Sequence, residues 1–265
     1  MVLRFDGRRS CAPYPGHMGT AGEEIVRLES VTKTYAGKKA LEEVTLRCPK
    51  NAFTAIVGPP GAGKTTLLRC AAGLDRPTSG WVAVEGADLT TMDEAALDVL
   101  RRERISYVFS SRNLLPALTV AENLTLPLRL AKRSAAPGRV VELVRRAGLS
   151  DHLDSMPADL CRSRQQMVAV TRAMISGPAV IFADDPARGL DPRGAGEVLE
   201  LLASYVHEGR GNVVMASHDP MAAAYADRAV LLKDGRVVRE LTLAEDKAVM
   251  ERAVHLAVWE ARDPF

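Results

Sequence analysis

Cysteine is scarce in the 265-residue sequence and falls in no recognisable framework. Cys11, Cys48, Cys70 and Cys161 form no Cys-x-x-Cys pair and have no neighbouring histidine at metal spacing. That argues against a zinc site or a disulfide scaffold and fits a reducing cytoplasm. Long apolar runs are missing as well. No stretch approaches the roughly 18 to 20 residues that a helix needs to span a bilayer, and the N-terminus has no apolar core of signal-peptide length. The expectation is that other chains hold this one at any membrane where it works. Charge of one sign is also lacking: 35 Lys and Arg against 33 Asp and Glu leave a net +2. Such a balance argues for neither nucleic acid nor an acidic surface as partner. Hydrophobic residues at 47% and charged residues at 26% are ordinary for a globular protein. The length suits one α/β core with an inserted subdomain, or two small domains.

What the sequence does contain is Gly58-Pro59-Pro60-Gly61-Ala62-Gly63-Lys64-Thr65-Thr66, which fits the phosphate-binding pattern Gly-x-x-x-x-Gly-Lys-Thr. Its flanks supply the strand and helix that the pattern requires. Phe53 to Val57 reads as a buried strand, and Thr65 to Ala72 has the composition of a helix. The glycines let the backbone turn tightly around an anion, the following amides and the helix N-terminus point at phosphate, and Lys64 reaches the β and γ oxygens of a nucleotide. Pro60 has no N–H, so the cradle starts at Gly61. Thr65 has the hydroxyl to meet Mg²⁺, a hard cation that shares its shell among water, phosphate and carboxylate.

Along the chain, residues 1 to 22 lack periodicity and read as a flexible tail. Antiparallel strands are expected at Ile25–Leu28, Val31–Tyr35 and Leu41–Leu46, then at Trp81–Gly86. Thr91-x-x-Glu94 and Thr119-x-x-Glu122 have the capping-box form, which predicts helix starts near 92 and 120, with a strand at Ile105–Phe109 between them. From Thr119 to about Ala173 the apolar spacing is helical. Strand, helix and strand return at Ala179–Ala183, around Val198 to Tyr205, and at Asn212–Ala216. Asp234-Gly235 centres a hairpin, and Thr242-x-x-Glu245 caps a final amphipathic helix.

This order of pieces, from about residue 24 to 240, resembles the ATP-binding subunit of an ABC transporter. The resemblance implies an α/β, P-loop NTPase core with an antiparallel β subdomain and an inserted helical subdomain. It implies an ATP-binding domain at 23–240 with the helical subdomain at about 111–173, which leaves the tail at 1–22 and the expected C-terminal helix at 241–265 outside it. Tyr35 matches the aromatic residue that stacks on adenine, although a lone Tyr ending a strand is usually packing. Asp184 matches the Mg²⁺-holding end of the Walker B strand, and Gly189-Leu190-Asp191 the D-loop that crosses a dimer interface. His218 matches the switch histidine at the γ-phosphate, where an ordinary surface His is the plain alternative. Asn113 to Asn123 with Leu126-Pro127-Leu128 is similar to the branch serving lipoprotein release, macrolide and peptide export and cell-division signalling. The cofactors implied are ATP and Mg²⁺. The partners are a membrane permease and a second ATPase subunit, identical or different, with no nucleic acid. The location implied is the cytoplasmic face of the membrane.

Three departures stand against these matches. Ser110 occupies the place of the family's Mg²⁺- and water-sensing Gln, with a hydroxyl two carbons shorter. The signature Leu-Ser-Gly-Gly-Gln is Leu160-Cys161-Arg162-Ser163-Arg164, while Gln166, Val168, Ala169, Arg172 and Ala173 still match. Arg162 and Arg164 have two readings at this point: charge supplied to a phosphate, or a solvated pair on a disabled tip. Asp185 replaces the catalytic glutamate and retracts the carboxylate by one methylene, where a shift of about 1 Å can lower a rate about a hundredfold. A homodimer would carry all three faults in both sites. With an intact partner neither composite site would be whole, which favours slow, regulated or vestigial hydrolysis. The alternative class is a non-hydrolysing, ATP-gated signalling subunit. A soluble ABC protein of translation or DNA repair is disfavoured, because those usually carry two cassettes in one chain.

Overall fold

Runs such as Phe53–Val57 and Val180–Ala183 have no polar face, so a sheet built from them needs cover on both sides. The computed structural model, which describes residues 23–134 and 137–242, meets that requirement with an antiparallel sheet on one face and helices on the other. The chain runs β1 Glu24–Tyr35, β2 Lys38–Pro49, β3 Phe53–Val57, α1 Lys64–Ala71, β4 Ser79–Val84 and β5 Ala87–Asp88. It continues through α2 Glu94–Glu103, β6 Ile105–Val108, α3 Val120–Leu130, α4 Pro137–Arg146, α5 Arg162–Ile175 and β7 Val180–Asp184. It closes with α6 Pro192–His207, β8 Asn212–Ser217, α7 Pro220–Ala223, β9 Arg228–Lys233 and β10 Arg236–Thr242.

The central sheet has the order β10-β9-β3-β8-β7-β6. Its strands are parallel except β10, which returns antiparallel beside β9 through the Asp234-Gly235 hairpin. The second sheet, β2-β1-β4-β5, is antiparallel. Strand pleating sorts alternate side chains into two cores. Ile56, Phe182, Val214 and Val230 face the antiparallel sheet and α1, whereas Phe53, Ile181, Val213 and Leu231 face α3 to α6.

Four expectations are corrected. The segments expected as separate strands at 25–28 and 31–35 form one strand, β1, with a register shift between Leu28 and Val31 and Ser30 at φ 48°. β6 ends at Val108, one residue short of Phe109. The second helix is capped by Asp93, whose Oδ1 accepts from Ala96 N at 2.8 Å, while the Thr91 hydroxyl lies 3.4 Å from the carbonyl of Asp88 in the preceding turn. β10 runs through Thr242, so the helix expected from 241 does not begin there. The rest of that helix, and the tail at 1–22, fall outside the described residues. Thr119 and Glu122 do form both bonds of the expected box, at 3.2 and 2.9 Å, and α3 starts at Val120.

Asp93→Ala is expected to lower stability by about 1 kcal/mol in urea unfolding, and Thr91→Ala by less than about 0.5 kcal/mol. The reverse ranking would restore Thr91 as the cap.

Candidate functional site

Strands β3, β8 and β7 lie side by side and parallel, with Val57 level with Ser217 and Asp184 level with Ala216. Their carboxyl ends therefore meet at one edge, where ligands bind in open α/β sheets. Gly58, the Asp184–Asp185 pair and His218 all emerge there. A cleft of about 480 Å³ opens at this edge, lined by Tyr35, Lys64, Thr65, Asp184, Asp185 and His218, together with Pro60, Gly61, Gly63 and Thr66 of the loop.

Contacts that admit no side chain shape the loop. A Cβ on Gly58 would strike the carbonyl of Leu232, and Gly63 sits at φ 99° with the Ala40 carbonyl against it. The Ala62 carbonyl accepts from Gly235 N at 3.0 Å, and the Gly235 carbonyl accepts from Glu42 N at 2.9 Å. The β9–β10 turn thus clamps the loop to β2. Lys64, only 8% exposed, donates to the carbonyls of Gly58 at 2.8 Å and Pro59 at 2.9 Å. One of its three N–H bonds is left for an anion in the cleft. Burial lowers the Lys64 pKa, and the charges of Asp185 and Asp184 oppose that shift.

Thr65 Oγ1 donates to Asp184 Oδ1 at 2.9 Å, so a hydroxyl and a carboxylate oxygen converge as a hard cation prefers. Asp184 is 7% exposed. Burial raises its pKa and the charge of Asp185 adds to the rise, while the Thr65 bond, Lys64 and Arg188 pull the other way. Among the described residues no three of His, Cys, Asp and Glu cluster as a metal site. Mg²⁺ bound through phosphate needs only one or two protein oxygens, so the Thr65 and Asp184 pair fits it.

Asp185 stands at φ 50°, a conformation that Asp tolerates better than most residues. Its carboxylate accepts from Ser217 Oγ and His218 N, each at 3.3 Å, and both its oxygens lie 2.9 Å from His218 Nδ1. The bond at Nδ1 leaves Nε2 as the unengaged ring nitrogen.

Tyr35 ends β1 and lines the cleft, the residue 43% exposed. Its hydroxyl donates to Asp75 Oδ2 at 2.7 Å, Arg69 Nε holds the same oxygen at 2.9 Å, and Lys33 Nζ lies 4.9 Å from the ring centroid. Burial, and next the Asp75 bond, push the hydroxyl up to about 12. The ring is therefore held in place before any ligand arrives.

Cys161, Arg162, Ser163, Arg164 and Asp191 do not line the cleft. Cys161 is the N-cap of α5 but makes no side-chain capping bond, and both Cys161 and Arg162 are exposed. Ser163 Oγ donates to Asp191 Oδ2 at 3.1 Å, and Asp191 Oδ1 accepts from Gly194 N at 2.9 Å as the N-cap of α6. The Gly194 amide, and then Ser163, hold the Asp191 carboxyl below its usual range. Arg164 follows neither reading offered for it. Its Nη1 donates to the carbonyls of Gly148 at 2.8 Å and Ala147 at 3.4 Å, because the end of α4 leaves acceptors that a nearby guanidinium can satisfy. Ser110 is exposed beyond β6 and also lies outside the lining.

The sequence reading missed Lys38, Lys39, Ala40 and Arg188, which line the cleft, and the Asp75 and Arg69 support of Tyr35. Only Arg188 had a signal, as a cation between the Asp185 and Asp191 landmarks.

The profile of the family described as "ABC transporter" matches residues 41–188. The chain is 33% identical to the bacitracin export ATP-binding protein BceA of Halalkalibacterium halodurans, over 82% of this chain and 88% of that protein. It is 33% identical to the lipoprotein-releasing system ATP-binding protein LolD of Cytophaga hutchinsonii, over 82% of this chain and 100% of that one. Among solved structures it is similar to the dimeric ATP-binding cassette MJ0796 of Methanocaldococcus jannaschii, in a post-hydrolysis state bound to ADP and Pi. The TM-score there is 0.76 at 35% identity, covering 83% of this chain and 100% of that one.

Burial holds the Asp184 carboxyl above its ordinary pKa in the folded chain. A carboxyl whose pKa is higher in the folded state adds stability below its unfolded pKa, and that contribution is lost as pH rises through the folded value. Without nucleotide or divalent ions, Asp184→Asn is therefore expected to melt above the wild type at pH 7, with the gap closing as pH falls through the carboxylate range. A variant melting below the wild type at pH 7 would mean that Thr65 and Lys64 outweigh the burial.

Proposed function

The chain belongs to the ABC transporter family, as an ATP-binding subunit and ABC-type ATPase, and from that premise we propose that it couples ATP binding and slow hydrolysis to a separate membrane permease. It acts as one half of a cassette dimer, homomeric or heteromeric, in the export and release branch to which its named relatives point, at the cytoplasmic face of the membrane. Residues 23–240 are the ATP-binding unit, and about 111–173 its helical part. The observation that carries this reading is the convergence of Lys64, Thr65, Asp184, Asp185 and His218 on one cleft at the level ends of three parallel strands.

Within that cleft Tyr35 stacks on the adenine, and the backbone of Gly58 to Thr66 with Lys64 holds the phosphates. Thr65 and Asp184 hold Mg²⁺, which neutralises phosphate charge when bound. Asp185 is the group that accepts a proton from the attacking water, and His218 stands at the terminal phosphate. Slow turnover follows from the engagement of these groups. The Asp185 carboxylate is already bonded by Ser217 and His218, so it must give up a partner to meet a water. The α5 tip offers a dimer partner its backbone N–H groups, without a capping hydroxyl at Cys161.

Nucleotide binding is tested by thermal unfolding. Mg-ATP at about a hundred times its dissociation constant should add about 2.7 kcal/mol to the stability of the wild type and nothing comparable to Lys64→Ala. Equal effects on both proteins would defeat the assignment of the loop.

Turnover is tested by steady-state ATPase rates. Asp185→Glu should raise kcat with little change in affinity if the carboxylate limits the chemistry. If the α5 tip limits it, Ser, Gly, Gly and Gln at Cys161, Arg162, Ser163 and Arg164 will be needed, and the two repairs should combine more than additively in a homodimer. Wild-type turnover near a typical 10 per second would refute attenuation, and none in any variant would favour the ATP-gated signalling alternative.

A further inference from the structure

The turn after β7 carries a cation that the reading above leaves unused. Arg188 lies three residues past Asp185, in a turn closed by its own amide donating to the Asp185 carbonyl at 3.0 Å. Its side chain lines the same cleft as Lys64, Thr65, Asp184 and His218. The residue is exposed, and its guanidinium makes no hydrogen bond or ion pair among the described residues. The carboxylates beside it are engaged elsewhere, Asp184 by Thr65 and Asp185 by Ser217 and His218. Its field still reaches Asp184, whose raised pKa it partly offsets.

A guanidinium presents donors in a rigid planar fork that matches two oxygens of a phosphate. One that has no partner, and stands where the neighbouring acceptors are already bonded, suits an anion entering from the cleft. The position along that anion follows from the two elements that build the site. Lys64 and Thr65 belong to the loop that runs along the phosphates, whereas Arg188 comes from the turn after β7, next to Asp185 and the His218 that it bonds, the pair assigned above to the attacking water and the terminal phosphate. It therefore meets the outer end of the polyphosphate.

We propose that Arg188 pairs, within its own chain, with the terminal phosphate of the bound nucleoside triphosphate and so makes the cleft prefer triphosphate over diphosphate. The proposal rests on the nucleotide reading above and deepens it. Arg188 supplies from inside the chain a positive group at the phosphate that the altered α5 tip of a partner serves less well.

The experiment is equilibrium binding of ADP and of the hydrolysis-resistant analogue adenylyl imidodiphosphate, each with Mg²⁺, to wild type, Lys64→Ala, Arg188→Ala and Arg188→Lys. Arg188→Ala should weaken the triphosphate analogue about tenfold or more, the scale of a lost bond to a charged group, and change ADP by less than about twofold. Arg188→Lys, which keeps the charge and loses the fork, should fall between. Equal losses for the two nucleotides, or none, would overturn the proposal while leaving the nucleotide site standing. Wild type that binds neither nucleotide would overturn both. Should alanine unsettle the turn, judged by urea unfolding without nucleotide, Arg188→Lys decides by the same ratio: a selective loss of the triphosphate supports the proposal and an unchanged ratio ends it.

Discussion

The site depends on the level carboxyl ends of three adjacent parallel strands. β3, β8 and β7 can stand together at the centre of the sheet only because both faces of each are apolar and covered. Their register then places Gly58, His218 and Asp184 side by side, although the chain separates them widely. The covering layers do more than exclude water. The antiparallel sheet presents Tyr35 at the mouth of the cleft, and the β9–β10 turn reaches across to hold the Ala62 carbonyl. Architecture and active groups share the same residues, so the loop has little freedom to shift.

Electrostatics in the cleft is a balance among groups that would each be unfavourable alone. Burial works against the charged forms of Lys64 and Asp184, and each opposes the shift of the other. Asp185 adds a second carboxylate, answered by Ser217 and His218 at hydrogen-bond distance. Such an arrangement holds the charged groups of the cleft in fixed positions, each engaged by a neighbour. A glutamate side chain would extend past this embrace, whereas Asp185 sits within it.

The N-terminal tip of α5 shows a different use of altered residues. Ser163 bonds the N-cap Asp191 of α6, and a Cβ on Gly194 would collide with the Ser163 hydroxyl, so these two helix ends are fitted to one another. Arg164 closes the end of α4. Two of the four residues that depart from the signature pattern therefore stabilise the chain's own helices. Replacing Ser163 and Arg164 would remove those bonds.

The phosphate loop, its strand and helix, the alternation of strand and helix in the core and the capping box at Thr119 were all legible in the sequence. Each is set by neighbours in the chain: a glycine pattern, an unbroken apolar run, a hydroxyl three residues before a glutamate. The cap of the second helix was read at Thr91, but Asp93 two residues on is also a capping type, and it is Asp93 that takes the Ala96 amide. The partner of Arg164 and the place of Arg188 in the cleft were not set by the sequence, for a similar cause. An arginine is long enough to serve a helix end, a phosphate or solvent, and only the position of α4 sends Arg164 to the Gly148 carbonyl, while the turn after β7 leaves Arg188 lining the cleft with no side-chain bond among the described residues. By itself the sequence determined which local shapes could form and that one of them would hold phosphate. The tertiary structure alone decided which charged side chains meet there, because long-range register and helix packing set those distances.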